Sequence, residues 1–190
     1  CFDTSYLKLF CVLHVMNRVY NYINIKKDID QISTDRCITG SGASMSLSSH
    51  IHIFNQLGDN SNKNGEIYRA CWEKNQLCNA QLVVKKIPLK DREFEYIKDP
   101  FSLKVLNKST TFSELYFLKL LTLLVEQGIC MNVPILYKYF VCDSCTFPPK
   151  ILKYHPRTTK CLIAVTDIAQ GTFKQFLKKE KRQKVNINAY

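Results

Sequence analysis

The chain has 190 residues, 46% of them apolar and 23% charged, with 27 Lys and Arg against 16 Asp and Glu. That is room for one ordinary domain or a large part of a bigger one, and it excludes a disordered tail, a collagen-like repeat and a multi-span membrane protein. The net charge of +11 suits anionic partners such as nucleotide phosphates, but the last twenty residues alone hold six basic groups and one acidic, which speaks against a broad nucleic-acid face.

Leu9, Leu13, Met16 and Tyr20 recur at helical spacing and predict an amphipathic helix from Tyr6 to Ile25. The apolar run from Leu9 to Val15 is broken by Cys11 and His14, and it is too short for a membrane span. Small polar residues from Thr39 to Ser49 read as a linker, so residues 1–49 are assigned to an N-terminal extension. Strands are predicted at Ile51–Phe54, Glu66–Trp72 and Gln81–Ile87, the first two joined by the turn chemistry of Gly58 to Gly65. A long helix follows from Thr111 to Gln127, with Thr111 and Glu114 as a capping box and Gly128 as its stop. Strands at Ile135–Val141 and Cys161–Thr166 come next, then a helix over Thr172–Lys181 and a basic tail over 178–190. The order β-β-β-α-β-β-α predicts an α+β fold: a five-stranded antiparallel sheet with a helix packed on it.

Nine cysteines with no framework spacing read as free thiols in a reducing, intracellular compartment. Cys142 and Cys145 form a C-x-x-C, and with His155 and Cys161 they make a set of four ligand types able to hold zinc between the last two strands. The competing reading is free thiols at a β-hairpin. His50 and His52 read as surface residues.

Gly58 and Gly65 bracket a polar loop through which backbone amides can approach a phosphate without steric cost. Lys85 ends an apolar strand and needs an anionic partner if buried. Glu114 fits that role, because Leu118, Leu121 and Val125 place it on an apolar helix stripe expected to face the core. Lys86 is expected to face solvent, since adjacent strand residues point to opposite faces. Glu126, the rival acid at the helix end, is expected to be solvated.

The order of these parts resembles the N-terminal lobe of protein kinases. Leu57-Gly58 and the run from Gly65 to Ala70 resemble the two ends of the kinase glycine-rich loop, and Val83-Val84-Lys85 resembles the strand-three lysine motif. Asn132 to Tyr137 is similar to the stretch leading into strand four, and Ile163 to Leu177 to strand five, the adenine hinge and helix D. The run from Cys130 to Leu136 is most similar to serine/threonine kinases of large nucleocytoplasmic DNA viruses.

The resemblance covers Ile51 to Leu177, within a lobe assigned to residues 50–177. It implies transfer of the γ-phosphoryl group of Mg-ATP to a protein hydroxyl, with ATP and Mg²⁺ as cofactors, a protein as substrate, and host cytoplasm or virion as location. Lys85 would pair the α/β-phosphates, held by Glu114, with Leu57, Gly58 and Gly65 in the covering loop. Ile67 and Val83 would roof the adenine, Thr166 would be the gatekeeper, and the backbones of Asp167 and Ala169 would bond the base. The loop departs from the family pattern: its middle glycine is missing and two extra residues separate Gly58 from Gly65. No Asp or His follows Leu177, so the catalytic aspartate and the Mg²⁺ ligands are expected in a C-terminal lobe outside this chain, which alone is expected to be inactive. A kinase-like interaction module without catalysis is the alternative, with a basic nucleic-acid-binding protein as the third reading.

Overall fold

A computed structural model describes residues 16, 19–31, 46–48, 51–57, 64–129, 133–143, 145–156 and 158–168. Period-two alternation organises the middle of the chain. In the strand Leu77–Pro88, Leu82, Val84 and Lys86 are buried on one face, while Val83 and Lys85 on the other stay half-buried. Six strands form one antiparallel sheet: β1 (Ser46–Ser48), β2 (Ile51–Gln56), β3 (Glu66–Lys74), β4 (Leu77–Pro88), β5 (Leu136–Cys142) and β6 (Cys161–Asp167). Their order is β1-β2-β3-β4-β6-β5. The α+β class and the antiparallel sheet are as expected; β1 adds an edge strand inside the segment read as linker.

β3 and β4 are joined by a tight hairpin whose central residues, Asn75 and Gln76, have φ of 55° and 63°. Two consecutive left-handed residues match the right-handed twist of the strands they join, and asparagine tolerates that conformation well. The hairpin starts β4 at Leu77, four residues before the sequence reading placed it.

Helices cover both faces. α1 (residues 19–30) buries Tyr22, Ile25 and Ile29 against Ile51, Ile53, Trp72 and Val84. The Trp72 indole N–H donates to Asp28 Oδ2 at 2.6 Å, and Lys138 Nζ donates to the Ile29 carbonyl at 3.1 Å. The helix exists, but the stripe is re-phased: Met16 and Tyr20 are exposed, and residues 19–30, assigned to the extension, share the core of the sheet. Leu9 and Leu13 lie outside the described residues.

On the opposite face, short turns α2 (Asp91–Phe94), a 3₁₀ turn (Glu95–Lys98) and α3 (Leu103–Leu106) lead into α4 (Thr110–Glu126). α4 packs Phe112 and Leu115 on Ile87, Leu136, Leu162 and Ala164. The capping box expected at Thr111 and Glu114 is replaced by an N-cap at Ser109. The Ser109 hydroxyl accepts from the Phe112 amide at 3.4 Å and donates to the buried Glu93 carboxylate at 2.6 Å. At the far end Gly128 has φ +70°, with Gly128 N–H bonded to the Val125 carbonyl and Ile129 N–H to that of Leu124, a Schellman stop as expected. The Thr122 hydroxyl accepts from the Leu136 amide at 2.7 Å and ties the helix to β5.

The β5–β6 connection holds α5 (Pro149–Leu152) and folds Phe147 and Ile151 onto the face shared with α1. The free-thiol expectation is corrected here: Cys71–Cys78 and Cys145–Cys161 are disulfides, and Cys142 belongs to neither bridge. Among those residues no helix is long and apolar enough to cross a membrane. The predicted helix over Thr172–Lys181 lies outside them.

Candidate functional site

Register builds the site. Lys85 stands opposite Ile67 on β3 and Ala164 on β6, and Val83 stands opposite Arg69 and Thr166. Side chains of directly paired residues share a face, so Ile67, Val83, Lys85 and Thr166 form one patch. Ala164 contributes only a methyl group beneath the Lys85 stem. α4 covers the β5 side of this face, while Ile67, Val83 and Thr166 remain half-buried.

Across that opening Lys85 Nζ donates to both carboxylate oxygens of Glu114, at 2.6 and 2.8 Å. The expected partner is correct; the expected burial is not. The side chains are 24% and 49% exposed, because the buried stripe of α4 runs through Phe112, Leu115, Thr122 and Val125 and leaves Glu114 at its margin. An ion pair this exposed contributes about 0–1 kcal/mol to stability. Its consequence is geometric: a cationic amine is fixed between sheet and helix with one side open.

A cavity of about 230 Å³ adjoins the pair, lined by Lys85, Glu114, Asn64, Lys90, Thr111 and His155 among others. Leu57, Val83 and Thr166 are not part of its lining. The pocket is polar and lies toward the start of α4, whereas the apolar patch spans β3, β4 and β6. Lys85 is the residue common to both.

Lys86 reverses the solvent-facing expectation. Its side chain is 1% exposed; Nζ lies 3.1 Å from Glu66 Oε2 and 2.5 Å from the Thr146 carbonyl, with the Phe147 ring centroid 4.7 Å away. The rule that neighbours alternate holds, but the second face is roofed by the β5–β6 connection rather than by water. Glu126 is exposed, as expected, and accepts a hydrogen bond from the Tyr22 hydroxyl at the far end of the helix from Glu114.

Gly65 has φ +136°, and a Cβ there would lie 2.3 Å from the Lys86 carbonyl oxygen. Its need for glycine is therefore met within the sheet, by close approach of two backbones. The Leu57 amide donates to the Ile67 carbonyl at 2.6 Å and closes the base of the same hairpin. Gly58 lies outside the described residues, as does Ala169. At the end of β6 the Asp167 N–H donates to the Ile135 carbonyl at 3.2 Å, and its carboxylate accepts from the Ile135 amide at 2.7 Å. That amide proton is thus engaged within the fold.

The four-ligand zinc set is not assembled. Cys142, Cys145 and Cys161 gather, but His155 lines the Lys85 cavity instead. His52 is at the surface as expected, 3.2 Å from the Glu73 carboxylate; His50 lies outside the described residues. Sequence reasoning missed Ser109 and Glu93, whose signal was a serine just before a helix and an acid with no obvious surface role. No family model, curated protein or solved structure matches this chain.

Proposed function

We propose that this chain is the nucleotide-binding part of a serine/threonine-type protein kinase, with Lys85 meeting the phosphates of ATP and Glu114 positioning Lys85. The observation that carries the reading is the two-pronged Lys85–Glu114 pair, which spans from a central strand to the longest helix and stays open to solvent. A lysine held this way is a fixed point charge for an anion, the role such a residue has in phosphoryl transfer. Support comes from the patch of Ile67, Val83 and Thr166, which the register places on the same face as Lys85. Mg²⁺ would arrive with the nucleotide, its protein ligands lying outside the described residues. Kinship with kinases of large DNA viruses is part of the same proposal and rests on the sequence resemblance alone.

The test is an acyl-phosphate analogue of ATP, which acylates an amine lying beside bound phosphates. Lys85 should be modified, excess Mg-ATP should suppress the modification, and buried Lys86 should stay unmodified. Labelling that ignores ATP, or that falls on other lysines instead, would leave the non-catalytic interaction module as the better account.

A further inference from the structure

Cys142, Cys145 and Cys161 are all buried, and their sulfur atoms lie within 4.8 Å of one another. Cys142 ends β5 directly across the ladder from Cys161, which begins β6. Cys145 is brought back over both by a turn whose amide donates to the Thr159 carbonyl at 2.5 Å. Two of the sulfurs are joined as the Cys145–Cys161 disulfide, and the third, that of Cys142, is buried beside it and outside that bridge. One disulfide uses two sulfurs, so the fold gathers one more than the bridge requires.

The spacing suits a metal. A zinc–thiolate bond of about 2.3 Å at tetrahedral angles puts paired sulfurs a little under 4 Å apart; the bridged pair reaches that spacing by opening, and Cys142 already lies within 4.8 Å of both. C-x-x-C followed by a cysteine on the next strand is ligand-like spacing, and soft thiolates select cations of this kind. Enclosed thiolates also need a cation, because burying uncompensated negative charge is costly.

We propose that in the reduced chain Cys142, Cys145 and Cys161 bind one Zn²⁺ as three thiolates, in place of the Cys145–Cys161 disulfide. A dithiol reductant supplies two electrons and two protons to open the bridge and is itself oxidised to a disulfide. Zn²⁺ then displaces the protons of three thiols, and water or another small ligand takes the fourth position, since no fourth His, Cys, Asp or Glu joins the cluster among the described residues. Either linkage, disulfide or metal, pins the connection that lays the Thr146 carbonyl and the Phe147 ring over Lys86. The site is independent of nucleotide binding.

The experiment uses the whole chain, reduced with a dithiol, freed of metal and then given zinc chloride. About one zinc per chain should survive gel filtration, and zinc should slow iodoacetamide labelling of Cys142, Cys145 and Cys161 relative to the reduced, metal-free chain while leaving that of exposed Cys78 unchanged. Cys142→Ser should weaken zinc binding at least tenfold, and Cys78→Ser should leave it unchanged. Should Cys142→Ser fail to fold, the shielding pattern of the unaltered chain decides. No retained zinc, shielding spread over other cysteines, or a Cys145–Cys161 bridge that persists in excess dithiol and zinc would overturn the proposal.

Discussion

Lys86 and Glu66 face each other across the β3–β4 ladder, 3.1 Å apart, with side chains 1% and 6% exposed. One residue earlier, Lys85 meets Glu114 on the opposite face, at half-exposed groups. The two lysines therefore differ in what they contribute to stability. Lys86→Met leaves Glu66 as an uncompensated buried charge and should cost about 3–5 kcal/mol, whereas Lys85→Met should cost about 1 kcal/mol or less. Urea denaturation measures both. Joint replacement of Lys86 and Glu66 by Met and Leu should recover most of the loss. Equal losses at the two lysines would contradict the assignment of faces.

If the proposed kinase reading holds, phosphoryl transfer should depend on the exposed pair. Lys85→Met should lower kcat by on the order of 10²–10³, the scale for removing one group that stabilises transferring charge. Glu114→Gln keeps the shape but loses the carboxylate, and about tenfold is expected, equivalent to about 1.4 kcal/mol. Glu126→Gln should leave kcat within about twofold of the unaltered enzyme, since a factor of two is worth only about 0.4 kcal/mol. Steady-state kinetics on the three variants ranks them, and a larger effect at Glu126 than at Glu114 would reject the pairing.

Gly65→Ala should destabilise the hairpin. The new Cβ meets the Lys86 carbonyl at 2.3 Å, and φ of +136° is strained for any L side chain. A loss of about 1–3 kcal/mol or more is expected from the backbone conformation alone. Thermal unfolding compared with Gly128→Ala separates the two contributions, because a Cβ at Gly128 meets nothing within 4 Å. Gly128→Ala should cost less.

α1 should behave as part of the core. Ile25 and Ile29 are 0% exposed against the sheet, so truncating either to alanine should cost about 2–5 kcal/mol. Asp28→Ala removes the acceptor of the Trp72 indole and should cost about 1–3 kcal/mol, with a change in Trp fluorescence. Ile23→Ala, at an exposed position of the same helix, should be close to neutral. Neutral outcomes at Ile25 and Ile29 would detach α1 from the sheet.

Alkaline pH should weaken the fold through two tyrosines. Burial, reinforced by the Glu126 carboxylate, raises the Tyr22 phenol well above its ordinary value, and burial with the neighbouring Glu66 carboxylate does the same for Tyr68. The neutral phenol is the form the folded state favours. The associated stability is therefore fully present below the unfolded value of about 10 and is lost as pH rises through the higher folded values. Denaturation midpoints should fall above about pH 10, and Tyr68→Phe should flatten that fall. An unchanged slope in Tyr68→Phe would show that its phenol ionises elsewhere in pH.

Periodicity and turn chemistry made much of the fold readable. β2, β3, β5, β6 and α4 all start within one residue of their expected positions, because each joins a clear apolar pattern to a glycine, proline or capping signal. The start of β4 is not readable because Leu77, Cys78 and Asn79 are exposed on a hairpin arm and carry no apolar alternation. The turns between Asp91 and Leu106 were unreadable, since elements of four residues are too short to show a period.

What the sequence by itself determined was local: alternation set adjacent lysines on opposite faces, Gly128 stopped a helix, and an acid one turn into α4 was available to a strand lysine. Which lysine is buried depended on what lies above each face, and that is a tertiary matter. The β5–β6 connection closes over Lys86, while the β2–β3 side of the other face is left open beside Lys85. The same holds for the cysteines, since spacing along the chain cannot say which sulfurs meet. Folding β5 against β6 brought Cys142 and Cys161 into register and excluded His155. Burial and proximity are properties of pairs of distant segments, and only the packed chain decides them.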